Sequence, residues 1–226
     1  MVSSHTNRES LSARLRRERM WYLDDMIEAS GKTNLLLADL GGTLSFWKMN
    51  LPHLKHKDCL ARIDLFNLDA GSAQNGEIEG VLIRTRAGDM TNLKDVPDGQ
   101  YDIAFSNSAI EHAGNLAQQH RAAGEIRRIA GRFVLQTPNR FFPLEPHFYV
   151  PFFALLPLGL RARLHQHFKL GWLAPEPDAL RARIDCEQIR LLSGKEIRLL
   201  FPDAYVHREF LMGLAKSFIV TGKGAV

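Results

Sequence analysis

The sequence contains only two cysteines, Cys59 and Cys186, and they do not have the spacing of a zinc motif. This argues against a disulfide framework or a cysteine-based zinc site. Long apolar runs are also missing. The longest, 150–160, is far shorter than the ~20 residues of a spanning helix, and it contains two prolines. With no run resembling a signal peptide, we expect a cytoplasmic protein in a reduced compartment.

A strong excess of either charge is also absent. The 29 basic and 25 acidic residues give a net charge of +4, which by itself does not favour a nucleic-acid partner. The basic excess is concentrated in 14–19 and 161–183, and the pattern favours two solvated helix faces. The 226 residues suit one α/β domain, so we expect a single domain over 1–226.

Apolar periodicity predicts an N-terminal amphipathic helix over 8–29, followed by alternating strands and helices. The pattern predicts a Rossmann-like, doubly wound, mostly parallel seven-stranded sheet with helices on both faces and an antiparallel terminal strand. Residues 71–80 are expected to form a polar loop. Residues 139–190 are rich in proline, aromatics and arginine, and predict an inserted substrate or lid segment. The predicted strands are 35–40, 62–69, 81–86, 101–106, 132–136, 204–211 and 215–220.

A glycine turn closes the first predicted strand, in Asp39-Leu40-Gly41-Gly42-Thr43. Glycine allows a sharp turn and a close approach of a ligand to the backbone. The loop falls at the carboxyl end of the sheet, where open α/β folds bind ligands. A turn without any function would give the same signal, so the loop alone does not identify a cofactor site.

Acidic residues also follow the next two predicted strands. Asp69 ends the second strand, where a carboxylate can accept both hydroxyls of a ribose. Asp89 follows the third strand and can accept a hydrogen bond from an adenine amino group, while Met90 packs on the ring. Each acid by itself could be a surface carboxylate or a helix cap. Acids at three successive strand ends favour an adenosine site.

These motifs resemble the class I S-adenosylmethionine-dependent methyltransferases, and among them the small-molecule group called type 11. The resemblance covers about 35–139 and is most specific at 101–112, which is similar to the family's fourth-strand motif. It implies S-adenosyl-L-methionine as cofactor, and it implies that the backbone around Asn107 faces the methionine end of that cofactor. Asp39, Gly41, Gly42, Thr43, Asp69, Asp89, Met90 and Asn107 are the expected cofactor-binding residues.

The sequence departs from the family pattern at one place. Thr43 and Ser45 occupy the positions where the family's loop usually has its later glycines. Two consequences are open: the loop binds through hydroxyl groups, or the cofactor sits slightly differently.

Methyl transfer from a sulfonium requires mainly in-line placement of the acceptor, and a base when the acceptor carries a proton. His112 follows the fourth predicted strand, while Glu145 and His147 lie just after the fifth. We expect the catalytic base among these three, although both histidines could equally be capping or core residues. No spacing of histidine and acidic residues indicates a metal site.

The acceptor is expected to be a small molecule, such as a lipid-like compound or a natural product. A peripheral membrane contact through 149–163 fits a lipid-like acceptor, because that stretch is apolar and then basic. A nucleic-acid acceptor is less favoured, since Ser106-Asn107-Ser108-Ala109 stands where amine-modifying relatives often carry Asn/Asp-Pro-Pro-aromatic. Two alternatives stay open: a non-catalytic adenosylmethionine-binding domain, and a nicotinamide-dependent oxidoreductase.

Overall fold

A computed structural model describes residues 11–69, 75–144, 147–171 and 173–225. The strands are β1 (Leu35–Leu40), β2 (Leu60–Asn67), β3 (Gly76–Ile78), β4 (Val81–Ala87), β5 (Tyr101–Asn107), β6 (Ala130–Pro138), β7 (Tyr205–Leu211) and β8 (Leu214–Lys223). The α-helices are α1 (Leu11–Ser30), α2 (Leu44–Asn50), α3 (Leu116–Ile129), α4 (Leu158–His167), α5 (Ala179–Glu187) and α6 (Gly194–Leu200).

The strands form one sheet in the order β3-β4-β2-β1-β5-β6-β8-β7. Strand β1 pairs in parallel with β2 and β5, and β2 pairs in parallel with β4. The central strands have nearly continuous apolar burial, as expected for strands covered on both faces. The predicted Rossmann-like, mostly parallel sheet is confirmed, but it has eight strands over the described residues rather than seven.

The additional strand is β3, which lies in the stretch predicted to be a polar loop. It pairs antiparallel with β4, and Ile78 stands opposite Val81. The two residues between them, Glu79 and Gly80, have φ values of 52° and 80°. A two-residue turn with two positive φ angles matches the right-handed twist of a strand pair, so it closes a hairpin. The polar composition of 71–80 concealed this turn.

The chain divides into two compact units. The first unit runs to Asn107 and includes Gly124–Leu135 and the residues from Thr221 onward. Its core is formed by apolar strand residues, among them Leu37, Ile63 and Ile103, which are fully buried. The second unit comprises Ser108–Ala123 and Gln136–Val220.

Local sequence signals account for several helix ends. Helix α1 ends at Ser30, and Gly31 follows in the left-handed region, with a φ of 63°. Helix α2 gives way to a 3₁₀ turn over Leu51–His53, where Pro52 interrupts the α-helical hydrogen bonds. Helix α6 starts with a capping box, formed by Ser193 and Glu196.

The predicted insertion, 139–190, falls within the second unit. Helices α4 and α5 lie in this segment, and buried Phe148, Phe153, Leu170 and Cys186 form a small apolar cluster. The Phe148 and Phe153 rings are 4.3 Å apart between centroids. These contacts hold the chain around residue 148 in place, next to one of the predicted catalytic histidines.

Candidate functional site

The Asp39 carboxylate lies at the carboxyl end of β1 and is only 1% exposed. Trp47, on the buried face of α2, donates its indole Nε1–H to Asp39 Oδ2 at 2.7 Å. The other oxygen, Oδ1, has no hydrogen-bond partner among the described residues. A buried carboxylate oxygen without a donor is costly in the unliganded protein. It is therefore well suited to receive a hydrogen bond from a ligand.

Burial also changes the ionisation of this group. Removal from water raises the pKa of Asp39 to about 7, and the hydrogen bond from Trp47 opposes that rise because it favours the charged form. Near neutral pH the carboxyl group therefore changes charge readily. A cationic group placed against Oδ1 would hold it in the charged form.

The glycines after Asp39 allow the chain to turn tightly against this carboxylate. Gly41 has a φ of 83°, and its N–H donates to the carbonyl of Phe66 at 2.8 Å. A Cβ on Gly42 would lie 1.8 Å from Asp39 Oδ2, so no side chain fits there without displacement. Asn67 Nδ2 donates to the carbonyl of Gly42 at 2.9 Å. The loop is thus tied to the end of β2.

Thr43 begins helix α2 rather than continuing the glycine turn. Its φ of −127° and ψ of 148° are extended values that any residue adopts. Its hydroxyl accepts from the N–H of Phe46 at 3.2 Å, which is a helix N-cap, and lies 3.1 Å from Ser45 Oγ. Glycine is therefore not needed at position 43, and threonine stabilises the first turn of the helix instead.

The predicted adenosine residues follow the ends of β2 and β4. Strand β2 ends at Asn67, so Asp69 lies two residues beyond it and is exposed, rather than ending the strand as predicted. Asp89 is exposed, and its Oδ1 accepts from the N–H of Thr91 at 2.8 Å. Met90 is half-buried. The hydrogen bond to Thr91 closes a local turn and leaves the second oxygen of Asp89 for other donors.

Asn107 ends β5 and is contacted from α1. Its Oδ1 accepts from Arg19 Nη1 at 3.2 Å, and Arg19 is only 9% exposed. Arg19 belongs to the basic stretch predicted to be a solvated helix face, so that prediction is wrong at this residue. The guanidinium is buried because it finds an acceptor at the end of β5.

We predict that Trp47→Phe destabilises the protein by about 1–3 kcal/mol, because the buried Asp39 carboxylate loses its only described donor. The phenyl ring preserves most of the packing against Phe46 and Phe105. Urea unfolding at pH 8 measures the effect. The matched control is Trp21→Phe, at a side chain that is 61% exposed. Equal losses of unfolding free energy in both variants would show that the hydrogen bond to Asp39 does not stabilise the protein.

A second group of polar side chains lies in the second unit. One ligand atom from each of Glu111, His112 and His147 falls within 4.8 Å of the other two. The two imidazole rings meet edge to face, with 5.0 Å between centroids. Glu111 is fully buried, His147 is half-buried and His112 is exposed. The structure thus brings together two of the three predicted catalytic residues, whereas Glu145 lies outside the described residues.

The turn that carries Glu111 and His112 is held firmly. Gln119, fully buried, donates to the carbonyls of Ile110 and Arg190. The N–H of Arg190 donates to the carbonyl of Glu111 at 2.9 Å. On β6, the hydroxyl of Thr137 donates to Glu111 Oε2 at 3.0 Å. The position of the Glu111 carboxylate is therefore fixed by its surroundings.

A cavity of about 660 Å³ lies in the second unit. This volume is in the range of small-molecule sites. Two phenylalanines and several polar side chains line it, including three arginines and one glutamate: Phe148, Phe153, Arg140, Arg161, Arg190 and Glu187. The lining also includes Gly114 and Asn115, which follow His112 closely in the chain, and Phe148 directly follows His147.

Sequence reasoning did not find four residues that shape these sites: Trp47, Asn67, Arg19 and Glu111. Trp47 acts through a contact to Asp39 eight residues before it, whereas Asn67 and Arg19 contact residues 25 and 88 positions away, and no local pattern marks these three. Glu111 did carry a signal, since it is a charged residue directly after the apolar pair Ala109-Ile110.

Comparison with known proteins supports one class. Residues 53–133 match the family described as Methyltransferase domain, a range that includes Asp69, Asp89, Asn107 and His112 and begins after the glycine loop. Two uncharacterized proteins from strains of Mycobacterium tuberculosis are each 30% identical over 71 residues, which is 31% of this chain and 24% of theirs. The match thus spans about a quarter of the length of those relatives.

Solved structures share the fold at low sequence identity. Magnesium protoporphyrin IX methyltransferase from Synechocystis PCC 6803, with bound S-adenosylhomocysteine, has a TM-score of 0.51 at 15% identity, covering 92% of this chain and 83% of that one. The CurJ carbon methyltransferase has a TM-score of 0.58 at 10% identity, covering 96% and 56%. These neighbours show that the chain has a fold shared with methyltransferases, and the family match places a methyltransferase-like segment at residues 53–133.

Proposed function

We propose that this protein transfers a methyl group from S-adenosylmethionine to a small-molecule acceptor. The observation that carries the proposal is the buried Asp39 carboxylate, whose Oδ1 has no donor among the described residues, beside a loop that excludes side chains. The cationic α-amino group of the cofactor's methionine part suits that oxygen. Burial raises the pKa of Asp39 to about 7, and such a cation would lower that pKa again because it stabilises the ionised carboxyl group.

The remaining cofactor residues are assigned by position. Asp69 would accept the ribose hydroxyls, and Asp89 and Met90 would contact the adenine. The backbone around Asn107 would face the methionine part. Exposure of both aspartates in the unliganded chain supports these roles, because a carboxylate that is open to solvent can receive a ligand without breaking a buried contact.

The acceptor is assigned to the second unit. The cavity of about 660 Å³ has room for a compound of drug-like size, and its phenylalanines and arginines suit an acceptor with an apolar body and an anionic group. Arg140 supports this further, since its guanidinium makes no hydrogen bond or ion pair with the described residues.

Methyl transfer is an in-line displacement. S-adenosylmethionine, when bound, would supply an electrophilic methyl group, and Asp39, Asp69, Asp89 and the backbone around Asn107 would hold it. The chain contributes placement of the acceptor and removal of its proton. The pair His112 and His147 can take that proton directly, or can hold a cation that acidifies the acceptor.

A further part of the proposal is a peripheral membrane contact through 149–163. Tyr149, Phe152, Leu155 and Leu160 are each between 45% and 56% exposed, an arrangement that suits an interfacial segment. No helix in the described ranges combines the length and the apolar character needed to cross a bilayer. Co-sedimentation with anionic vesicles would test the contact, and Phe152→Ser should weaken it.

The function is tested by calorimetry and by turnover. We expect S-adenosylhomocysteine to bind one site per chain, and mass spectrometry to detect a product 14 Da heavier than its acceptor when small hydroxyl and amine compounds are supplied. Binding without turnover across acceptor classes would favour a non-catalytic domain. Binding of a nicotinamide dinucleotide, but not of S-adenosylhomocysteine, would refute the proposal.

Asp69→Ala is expected to weaken S-adenosylhomocysteine binding by about 1–3 kcal/mol, because the ribose hydroxyls lose their acceptor. Titration calorimetry measures the change. Asp95→Ala, at another exposed acid in the first unit, provides the control and should leave affinity unchanged. An Asp69→Ala affinity equal to that of the wild type would remove Asp69 from the site.

A further inference from the structure

We propose that Glu111, His112 and His147 form a binding site for a divalent transition ion of the Zn²⁺ type. One carboxylate oxygen and two imidazole nitrogens from these residues lie within 4.8 Å of one another. Two histidines and one carboxylate are a recurrent ligand set for zinc, and three protein ligands leave a fourth position open for a substrate atom. Sequence spacing gave no hint of this site, because His147 is far from His112 in the chain.

The distances permit coordination after small movements. An ion held at about 2.1 Å by tetrahedral ligands needs donor atoms about 3.4 Å apart, somewhat closer than the 4.8 Å limit observed here. The two imidazole rings already meet edge to face. Rotation of the exposed His112 side chain can bring its nitrogen nearer without disturbing the core, because His112 is the most accessible member of the group.

The surroundings fix the ligands in the way that metal sites require. Glu111 Oε2 accepts from the hydroxyl of Thr137, an outer contact that orients the carboxylate. The turn around Glu111 is clamped by Gln119 and Arg190. His147 directly precedes Phe148, which is anchored in the apolar cluster. Preorganised ligands lower the cost of binding an ion.

A cation also suits the electrostatics of the group. Glu111 is fully buried, and a carboxylate removed from water is stabilised by a nearby positive charge. Exposed His112 gives the site an opening to solvent through which an ion can enter. The ligand chemistry favours Zn²⁺ over Mg²⁺, since Mg²⁺ prefers six oxygen ligands whereas imidazole suits zinc.

The role of the ion rests on the proposed function. Chain neighbours of both histidines line the acceptor cavity, so the open coordination position is available to an acceptor oxygen. A coordinated hydroxyl has a lowered pKa and releases its proton to water. Its oxygen lone pair then forms the bond to the methyl carbon, as the carbon–sulfur bond breaks with both electrons on sulfur. Two histidines bound to an ion act through it rather than as free bases.

The test is metal binding by the full chain after treatment with a chelator. We expect calorimetry to show one Zn²⁺ per chain, and Co²⁺ to give the visible absorption of a tetrahedral site. Each of His112→Ala and His147→Ala should weaken Zn²⁺ binding by at least about 10–100-fold, the loss typical of removing even an outer partner of a ligand. The control is His120→Ala, at an exposed histidine on α3, and this variant should bind Zn²⁺ with the wild-type affinity.

The outcomes separate this inference from the proposed function. Absence of saturable Zn²⁺ binding, or binding that survives both ligand variants, overturns the metal site even when S-adenosylhomocysteine binds normally. Metal-free protein and His112→Ala should keep the wild-type affinity for S-adenosylhomocysteine. A chain that binds Zn²⁺ through these residues but not S-adenosylhomocysteine would refute the methyltransferase proposal and keep the metal site. Thermal unfolding of each variant checks that it folds.

Discussion

Asp39→Asn is expected to stabilise the unliganded protein at pH 8 and to abolish measurable binding of S-adenosylhomocysteine. Burial raises the pKa of Asp39 from 3.8 to about 7, so ionisation penalises the folded state. The unfolded chain releases this proton at lower pH than the folded one, and stability therefore falls as pH rises between about 4 and 7. Asparagine lacks that penalty, which amounts to at most about 4 kcal/mol above pH 7. It can still accept from Trp47.

Urea unfolding from pH 4 to pH 8 measures this effect. The advantage of Asp39→Asn should be smallest near pH 4, where folded wild-type Asp39 is protonated and the unfolded chain only begins to ionise, and should reach its full size above pH 7. Asp95→Asn is the control at an exposed position, and its unfolding free energy should follow that of the wild type. A pH-independent difference, or an Asn variant that binds S-adenosylhomocysteine normally, would contradict the role assigned to Asp39.

Gly42→Ala is expected to lower S-adenosylhomocysteine affinity by about 10-fold or more and to destabilise the chain by about 1–3 kcal/mol. The added Cβ would lie 1.8 Å from Asp39 Oδ2 and 2.2 Å from its Cγ. The short carboxylate cannot move aside freely, because Trp47 holds it in a buried position. The loop must therefore shift, and the shift displaces the backbone that would approach the cofactor.

The matched control for Gly42→Ala is Gly124→Ala. Gly124 lies inside α3, and a Cβ there meets no atom within 4 Å. Alanine at that position should stabilise the protein by about 0.5–1 kcal/mol, because glycine is a weaker helix former. Opposite signs for the two variants in thermal or urea unfolding are the expected result. Unchanged affinity in Gly42→Ala would show that the loop does not approach the ligand.

Much of the fold was predictable because its signals are local. Strand β1 was predicted with its observed bounds, since a short apolar run ends directly at a glycine pair. The capping box of α6 and the glycine after α1 also depend only on neighbouring residues. Strand β3 was not predicted, because its pairing with β4 depends on a turn with two positive φ angles, and the polar composition of 71–80 does not indicate such a turn.

The candidate site was predictable where it follows strand ends. Asp39, Asp89 and Asn107 lie at or just beyond the ends of β1, β4 and β5, as expected from the sequence. At Thr43 the structure shows an extended φ and an N-cap, so glycine is not required there, and how the loop holds a cofactor stays a prediction. The burial of Arg19 could not be foreseen, because its acceptor is 88 residues away in the chain.

The sequence by itself determined the order of strands and helices, the glycine turn after Asp39 and the acids that follow the next strands. These features depend on the secondary-structure propensities of neighbouring residues and on the periodicity of apolar residues. Only the tertiary structure decided that Trp47 and burial set the charge of Asp39. It alone brought His147 beside Glu111 and His112. Hydrogen bonds, desolvation and metal coordination depend on distances between atoms that the fold brings together, and residue spacing along the chain does not contain those distances.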